Sequence, residues 1–168
     1  MAEQAESHTI AQTRVQLSQF MSVINANSVG NVHGGEIMKL VDEAGALAAM
    51  RHSHNIVVTV EMDSMSFMEP IHVGNLVIAE AELTYVGTTS MEARVRVTKE
   101  HPLTGEQKLT NIAYLVYVAI DAAGHPIPVP RLIPQTPEEE TLMEEAWQRQ
   151  EHRKQQRKIE QQRLRKQD

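Results

Sequence analysis

The chain has 168 residues, 41% hydrophobic and 23% charged, enough for one domain with a real core and short for two. Lys and Arg total 16 against 22 Asp and Glu, a formal net charge of -6 with a pI near 5.7, which disfavours a nucleic-acid binder held by phosphate contacts. There is no cysteine, so disulfide scaffolds, thiolate zinc sites, iron–sulfur clusters and cysteine nucleophiles are excluded.

Residues 1–10 are polar and acidic, unlike a secretory signal, and the longest apolar run, 44–50, is far too short to span a membrane. The expectation is a soluble cytoplasmic protein that takes neither nucleic acid nor membrane as a partner. A turn-rich stretch, Asn27-Ser28-Val29-Gly30-Asn31-Val32-His33-Gly34-Gly35, comes before a helix expected from Gly34 to about Arg51. That helix is apolar in nearly every direction, with Glu36, Lys39 and Glu43 as its narrow polar stripe, so it should be surrounded by protein. Gly45 and the alanines after Asp42 would let neighbours approach closely.

Two glycines at a helix start cost about 1 kcal/mol each relative to alanine inside a helix. Either they permit a tight entry turn, the reading that spacing alone favours, or their amides are exposed to polarise a carbonyl or hold an oxyanion. Asp42 puts a carboxylate on an otherwise greasy helix, where it is a hydrogen-bonded structural group or a functional base. From Gly34 to Asp42 the helix rises about 12 Å, so the two cannot both touch one reacting carbon. If both act, the site combines two chains, with antiparallel helices related by a two-fold axis.

From residue 55 onward the period changes to that of strands: 55–67, 76–86, 90–99 after the Gly87-Thr88-Thr89 turn, and 109–120 after His101-Pro102-Leu103-Thr104-Gly105. Four strands in sequential antiparallel order, with one helix to cover, imply an α+β fold whose sheet wraps around one long buried helix. Thr136, Pro137 and Glu139 signal a second helix start, with Leu142, Met143, Ala146 and Trp147 as its docking face. Residues 150–168 carry seven Lys or Arg and only Ile159 and Leu164 as large aliphatics. A solvated helix fraying into disorder is expected there. The division is therefore a domain at 10–136 and a charged C-terminal helix and tail at 137–168. The eight histidines form no HExxH and read as surface or loop residues, so no metal site is expected. No GxSxG, phosphate-loop or dinucleotide motif occurs.

Asn27-x-x-Gly30-x-Val32-His33-Gly34-Gly35, Asp42-Glu43-Ala44, Val57-Val58-Thr59, Phe67-x-Glu69-Pro70-Ile71-x-Val73-Gly74, Gly87-x-Thr89-Ser90-Met91 and Thr104-Gly105-Glu106 follow one another in order. From about Thr13 to Pro137 the sequence resembles the hotdog-fold acyl-CoA thioesterases of the bacterial acyl-CoA hydrolase branch. The resemblance implies hydrolysis of acyl-CoA to fatty acid and coenzyme A, with Asp42 as general base or nucleophile. Asn27, six residues before His33, would position water or the carbonyl. His33, Gly34 and Gly35 would border the thioester, and Thr88, Thr89 and Ser90 would contact coenzyme A. It implies no cofactor, coenzyme A being part of substrate and product. It also implies a homo-oligomer, a dimer at least and a hexamer as a trimer of dimers. Arg94, Arg96, Lys99, Lys108 and Arg131 are candidate phosphate donors, and Met38, Met50, Met62, Met65 and Met68 candidate acyl-channel lining. Rival readings are an acyl-CoA-binding sensor without hydrolysis, a hotdog dehydratase or hydratase for which His33 is the one suitably placed histidine, and an inert oligomer whose tail is an interaction arm.

Overall fold

The turn residues give way to helix at the double glycine. In the computed structural model, which describes residues 7–164, α2 spans Gly34–Ser53. His33 is its N-cap, with Nδ1 accepting the Gly35 N–H at 2.9 Å, and His54 ends it in the left-handed region at φ 52°. Ile37, Leu40, Val41, Ala44, Ala48 and Ala49 are buried, but Met38 and Leu47 are 43% and 39% exposed. The all-round burial expected from the pattern is not reached, because the strands of one chain cover only part of the helix circumference.

Those strands are β2 (Val15–Phe20), β3 (Ile56–Met65), β4 (Leu76–Val86), β5 (Ser90–Glu100) and β6 (Gln107–Ile120). They form one antiparallel sheet in the order β2-β4-β5-β6-β3. The expected sequential order holds from β4 to β6 and fails for β3, which pairs with β6 at the edge of the sheet. The physical cause lies in residues 66–75. Asn111 Nδ2 donates to the Ser66 carbonyl and the Met68 N–H to the Thr110 carbonyl, so the chain leaves β3 still tied to β6. Pro70, which cannot extend a ladder, then lets it cross to β4. The side of β4 left open is taken by β2, a strand not anticipated, whose Val15 and Leu17 pack against the core while Gln16, Ser18 and Phe20 face out.

A parallel pair, β1 (Ser7–Thr9) with β7 (Arg131–Ile133), and the short α1 (Ile10–Thr13) close one end. Helix α3 runs Pro137–Leu164. The Thr136 hydroxyl caps it, accepting the Glu139 N–H at 3.2 Å, and Glu139 reaches back to the Gln135 N–H at 2.7 Å. Its expected docking face is reached in part: Ala146 is buried and Met143 packs on the core, whereas Trp147 is half exposed.

The stronger anchor of α3 is a ladder of arginines four residues apart, hence on one face. Arg149 and Arg153 both bind Glu92 of β5, at 2.9 and 2.7 Å. Arg153 also binds Asp63 of β3 at 3.0 Å, and Arg157 pairs with Glu61 of the same strand. Arg149 lies over the Tyr114 ring, 3.9 Å from its centroid. The segment expected to fray is thus a strap across β5, β6 and β3, since a charge run reads as solvated whether or not a buried acid awaits it. The remainder of that expectation, at 165–168, lies outside the described residues.

Candidate active site

Asp42 sits just over two turns into α2 on the border between its covered and open sides, and is half-buried. Thr59 on β3 donates its hydroxyl to Asp42 Oδ1 at 2.7 Å. The Tyr117 hydroxyl on β6 lies 3.0 Å from the Asp42 main-chain carbonyl and 3.2 Å from the same Oδ1. Asp42 Oδ2 makes no hydrogen bond among the described residues. Thr59 and Tyr117 are direct cross-strand partners, which places both hydroxyls under one turn of helix. Tyr117 is fully buried; burial first, then the adjacent Asp42 charge, pushes its phenol far above the ordinary tyrosine range. It is therefore a permanent hydrogen-bond donor.

The turn Thr88, Thr89 and Ser90 is at the same end of the sheet, for Met91 pairs with Tyr117 and Ser90 with Val118. Its carbonyls are spent within the fold: Thr88 accepts from Val129, Thr89 from Ala119 and Ser90 from Gly87. The side chains and amides of this turn are therefore its readiest groups for a ligand.

Asn27 and Gly34 lie elsewhere, lining a cavity of about 320 Å³ with Asn31, Phe67, Met68 and Ile71. The Asn27 side-chain oxygen accepts the amides of Val29 and Asn31 at 3.0 and 3.1 Å, leaving its NH2 as the end with no partner among the described residues. The Phe67 ring stands 3.4 Å from where a Cβ on Gly34 would be, so a side chain there would close the gap between helix start and cavity wall. Since a main-chain N–H can only donate, His33 Nδ1 carries no proton and the Gly35 amide is committed to it. Of the two glycine amides expected to face an oxyanion, Gly34's alone is without a hydrogen bond among the described residues.

Within one chain, then, the candidate residues form two clusters: Asp42 with Thr88–Ser90 at one end, Asn27, His33, Gly34 and Gly35 at the other. Thr59 and Tyr117 were not singled out from sequence. Thr59 stood in the Val57-Val58-Thr59 motif, while Tyr117 is one aromatic in a buried strand and carries no signal of its own. Among the candidate phosphate donors, Arg94 pairs with Glu82, and Lys99 and Lys108 with Glu69. Arg96 and Arg131 make no ion pair among the described residues. Of the candidate lining methionines, Met62 and Met65 pack on the core and Met68 lines the cavity. His52, expected at the surface, is buried and donates Nε2–H to the Pro130 carbonyl at 2.9 Å. Among the described residues no group of three or more His, Cys, Asp or Glu could hold a metal ion, and no helix is long and apolar enough to cross a membrane.

The Thioesterase superfamily model matches residues 29–106. A Bacillus subtilis (strain 168) protein named uncharacterized acyl-CoA thioester hydrolase YkhA is 38% identical over 152 residues, covering 90% of this chain and 88% of its own. A solved apo-hexameric acyl-CoA thioesterase superposes with a TM-score of 0.86 at 38% identity, over 90% of this chain and 97% of that one. The acyl-CoA hydrolase of Staphylococcus aureus, solved with butyryl coenzyme A and coenzyme A, gives a TM-score of 0.86 at 30% identity over 94% and 96%. That protein has also been solved with one Asn, one Asp and one Thr separately changed to Ala, at positions 15 and then 17 residues apart, the separations of Asn27, Asp42 and Thr59 here. A sheet wrapped on one helix, an anchored carboxylate on that helix and these likenesses along nearly the whole chain agree: the chain belongs to the hotdog-fold acyl-CoA thioesterase family.

Proposed function

We propose that the protein hydrolyses acyl-CoA thioesters with Asp42 as the reactive carboxylate, in a site shared by two copies of the chain. The observation that carries this reading is the anchoring of Asp42: Thr59 and Tyr117 engage Oδ1 while Oδ2 is left to act. As general base, Oδ2 takes a proton from water as the water oxygen adds to the thioester carbonyl. The tetrahedral oxyanion is held by the Gly34 amide, and its collapse expels the thiol of coenzyme A, which recovers the proton. As nucleophile, the same oxygen would form a transient anhydride that water opens. The spacing shared with the three altered positions of the Staphylococcus aureus enzyme supports Asn27, Asp42 and Thr59 as one functional set.

Two chains are required because Gly34 lies about 12 Å along α2 from Asp42, and Asn27 lines the cavity at that Gly34 end. The edge strand β3 offers the means. It is ten residues long, lies at the edge of the sheet and exposes Ile56, Val58 and Val60, the kind of edge that invites pairing with another strand. Pairing β3 with its two-fold mate sets two α2 helices antiparallel and brings the Gly34 end of one to the Asp42 of the other. Such a dimer is the unit of the hexamer we infer for this chain, as a trimer of dimers.

Thiol release from a panel of short to long acyl-CoAs tests the chemistry. Asp42→Ala should lower turnover by about 10²-fold or more, and full activity in that variant would end the reading. Mixing unfolded Asp42→Ala and Asn27→Ala chains and refolding them tests the shared site. Half the dimers would be mixed, each with one intact site of two, so about a quarter of wild-type activity should return. No recovery would place both residues in one chain's site. If acyl-CoA binds without turnover in the wild type, the sensor reading replaces hydrolysis.

A further inference from the structure

We propose that Tyr117 is a positioning residue for the reaction, its buried hydroxyl acting with Thr59 to hold one oxygen of Asp42 so that the other is presented to the thioester. This rests on Asp42 as the reactive carboxylate and names what fixes its orientation. A carboxylate on a helix swings easily, because its terminal torsion is broad and two-fold. Thr59 alone is a weak restraint, being exposed on an edge strand. Tyr117 supplies the rigid part, with its ring fully buried between the strands and α2. Its single proton has two acceptors within reach, the Asp42 carbonyl at 3.0 Å and Oδ1 at 3.2 Å, and both belong to residue 42. Whichever it bonds, the helix turn carrying the carboxylate is pinned to the sheet.

Gly45 makes this contact possible. It is three residues beyond Asp42 and so on the same face of the helix. A Cβ at 45 would run into the Tyr117 hydroxyl and stand 3.0 Å from two of its ring carbons. The glycine admits the phenol to the helix backbone, and the phenol reaches Asp42 from there. A glycine inside a helix is less favourable than alanine, a cost explained here by the hydroxyl it accommodates. Tyr117 cannot touch substrate, since none of its surface is open.

The test is steady-state kinetics of Tyr117→Phe, Thr59→Val, the two combined, and Gly45→Ala. Tyr117→Phe keeps the ring and should lower kcat about ten-fold while KM stays within two-fold, an interaction strength near that of one hydrogen bond to a charged group. Losing either donor frees the same carboxylate, so the double variant should cost little more than either single one. A purely structural tyrosine would instead multiply with Thr59→Val and move KM and thermal midpoint together. Gly45→Ala should reproduce the kcat loss and lower the thermal midpoint, and adding Tyr117→Phe should recover part of the midpoint but none of the kcat. Wild-type kcat in Tyr117→Phe, or independent effects of Tyr117→Phe and Thr59→Val, overturns the proposal. Should Tyr117→Phe not fold, wild-type kcat in Gly45→Ala overturns it equally. These outcomes are separate from failure of the parent reading, which shows as full turnover in Asp42→Ala.

Discussion

Arg153 donates to Glu92 at 2.7 Å with both side chains almost wholly out of water, 3% and 1% exposed. Glu92 takes four further hydrogen bonds, three from Arg149 on the same helix and one from the Thr84 hydroxyl at 2.8 Å beside it, so the carboxylate is fully bonded. Breaking one side of a buried pair leaves the other charge without compensation and costs about 3–5 kcal/mol. Glu92→Ala is expected to lower the unfolding free energy by about that amount, read as a shift of the urea midpoint with unchanged slope. A shift below about 1 kcal/mol would show that Arg149 and Arg153 find water instead.

Deletion of 148–168 removes the arginines and leaves the acids. A tail that were only a solvated arm would come off without effect. The ladder requires instead that the shortened chain unfold at a lower temperature, by about 10 °C if the loss is near that of Glu92→Ala. Calorimetry of the shortened and full chains decides between them, and equal melting temperatures would contradict the strap.

His33 caps α2 through a ring nitrogen rather than a hydroxyl or carboxylate oxygen. His33→Ala should cost about 1 kcal/mol, and His33→Asn, whose side-chain oxygen can accept the same amide, should recover most of it. Equal stability of the Ala variant and the wild type by denaturant titration would count against the cap. His33→Ala also releases the Gly35 amide, so any change in kcat measures whether one free glycine amide or two serve the oxyanion.

Glu82 carries the expected pH dependence. Burial pushes its carboxyl up, but hydrogen bonds and charge from Arg14 and Arg94 together outweigh this and hold it below its ordinary value of 4.5. A carboxyl lowered on folding stabilises the native state above its unfolded value, and the contribution fades as pH falls through the folded one. Glu82→Gln should therefore be less stable than the wild type at pH 7, with the gap closing below about pH 4.5. A gap that persists unchanged at pH 3 would assign the effect to packing rather than charge.

Much of this fold was legible because its signals are local. Helix α2 and strands β4, β5 and β6 fall within a few residues of the reading, since periodicity, the Gly87 turn and the Pro102 and Gly105 turn sit inside or beside them. The position of β3 was not legible, because an alternating pattern states that a strand exists and not which strand it pairs with. Asp42 stood out as a charge on an apolar helix, yet its anchors Thr59 and Tyr117 are 17 and 75 residues further along. The arginine ladder was hidden for the same reason: Glu92 is 61 residues before Arg153 and reads as an ordinary polar residue of a strand.

The strap's place in the chain orders the events of its synthesis. Every acid it neutralises lies on a strand translated before the first of its arginines. While α3 is being made, the sheet must therefore carry Glu92 with Thr84 as its only finished side-chain partner among the described residues, and a carboxylate so placed keeps water between strand and helix. The sheet can dry and close only when the middle turns of α3, which carry Arg149 and Arg153, arrive, so a stalled or prematurely released chain would leave a loosely packed intermediate whose open β3 edge is free to recruit another unfinished copy.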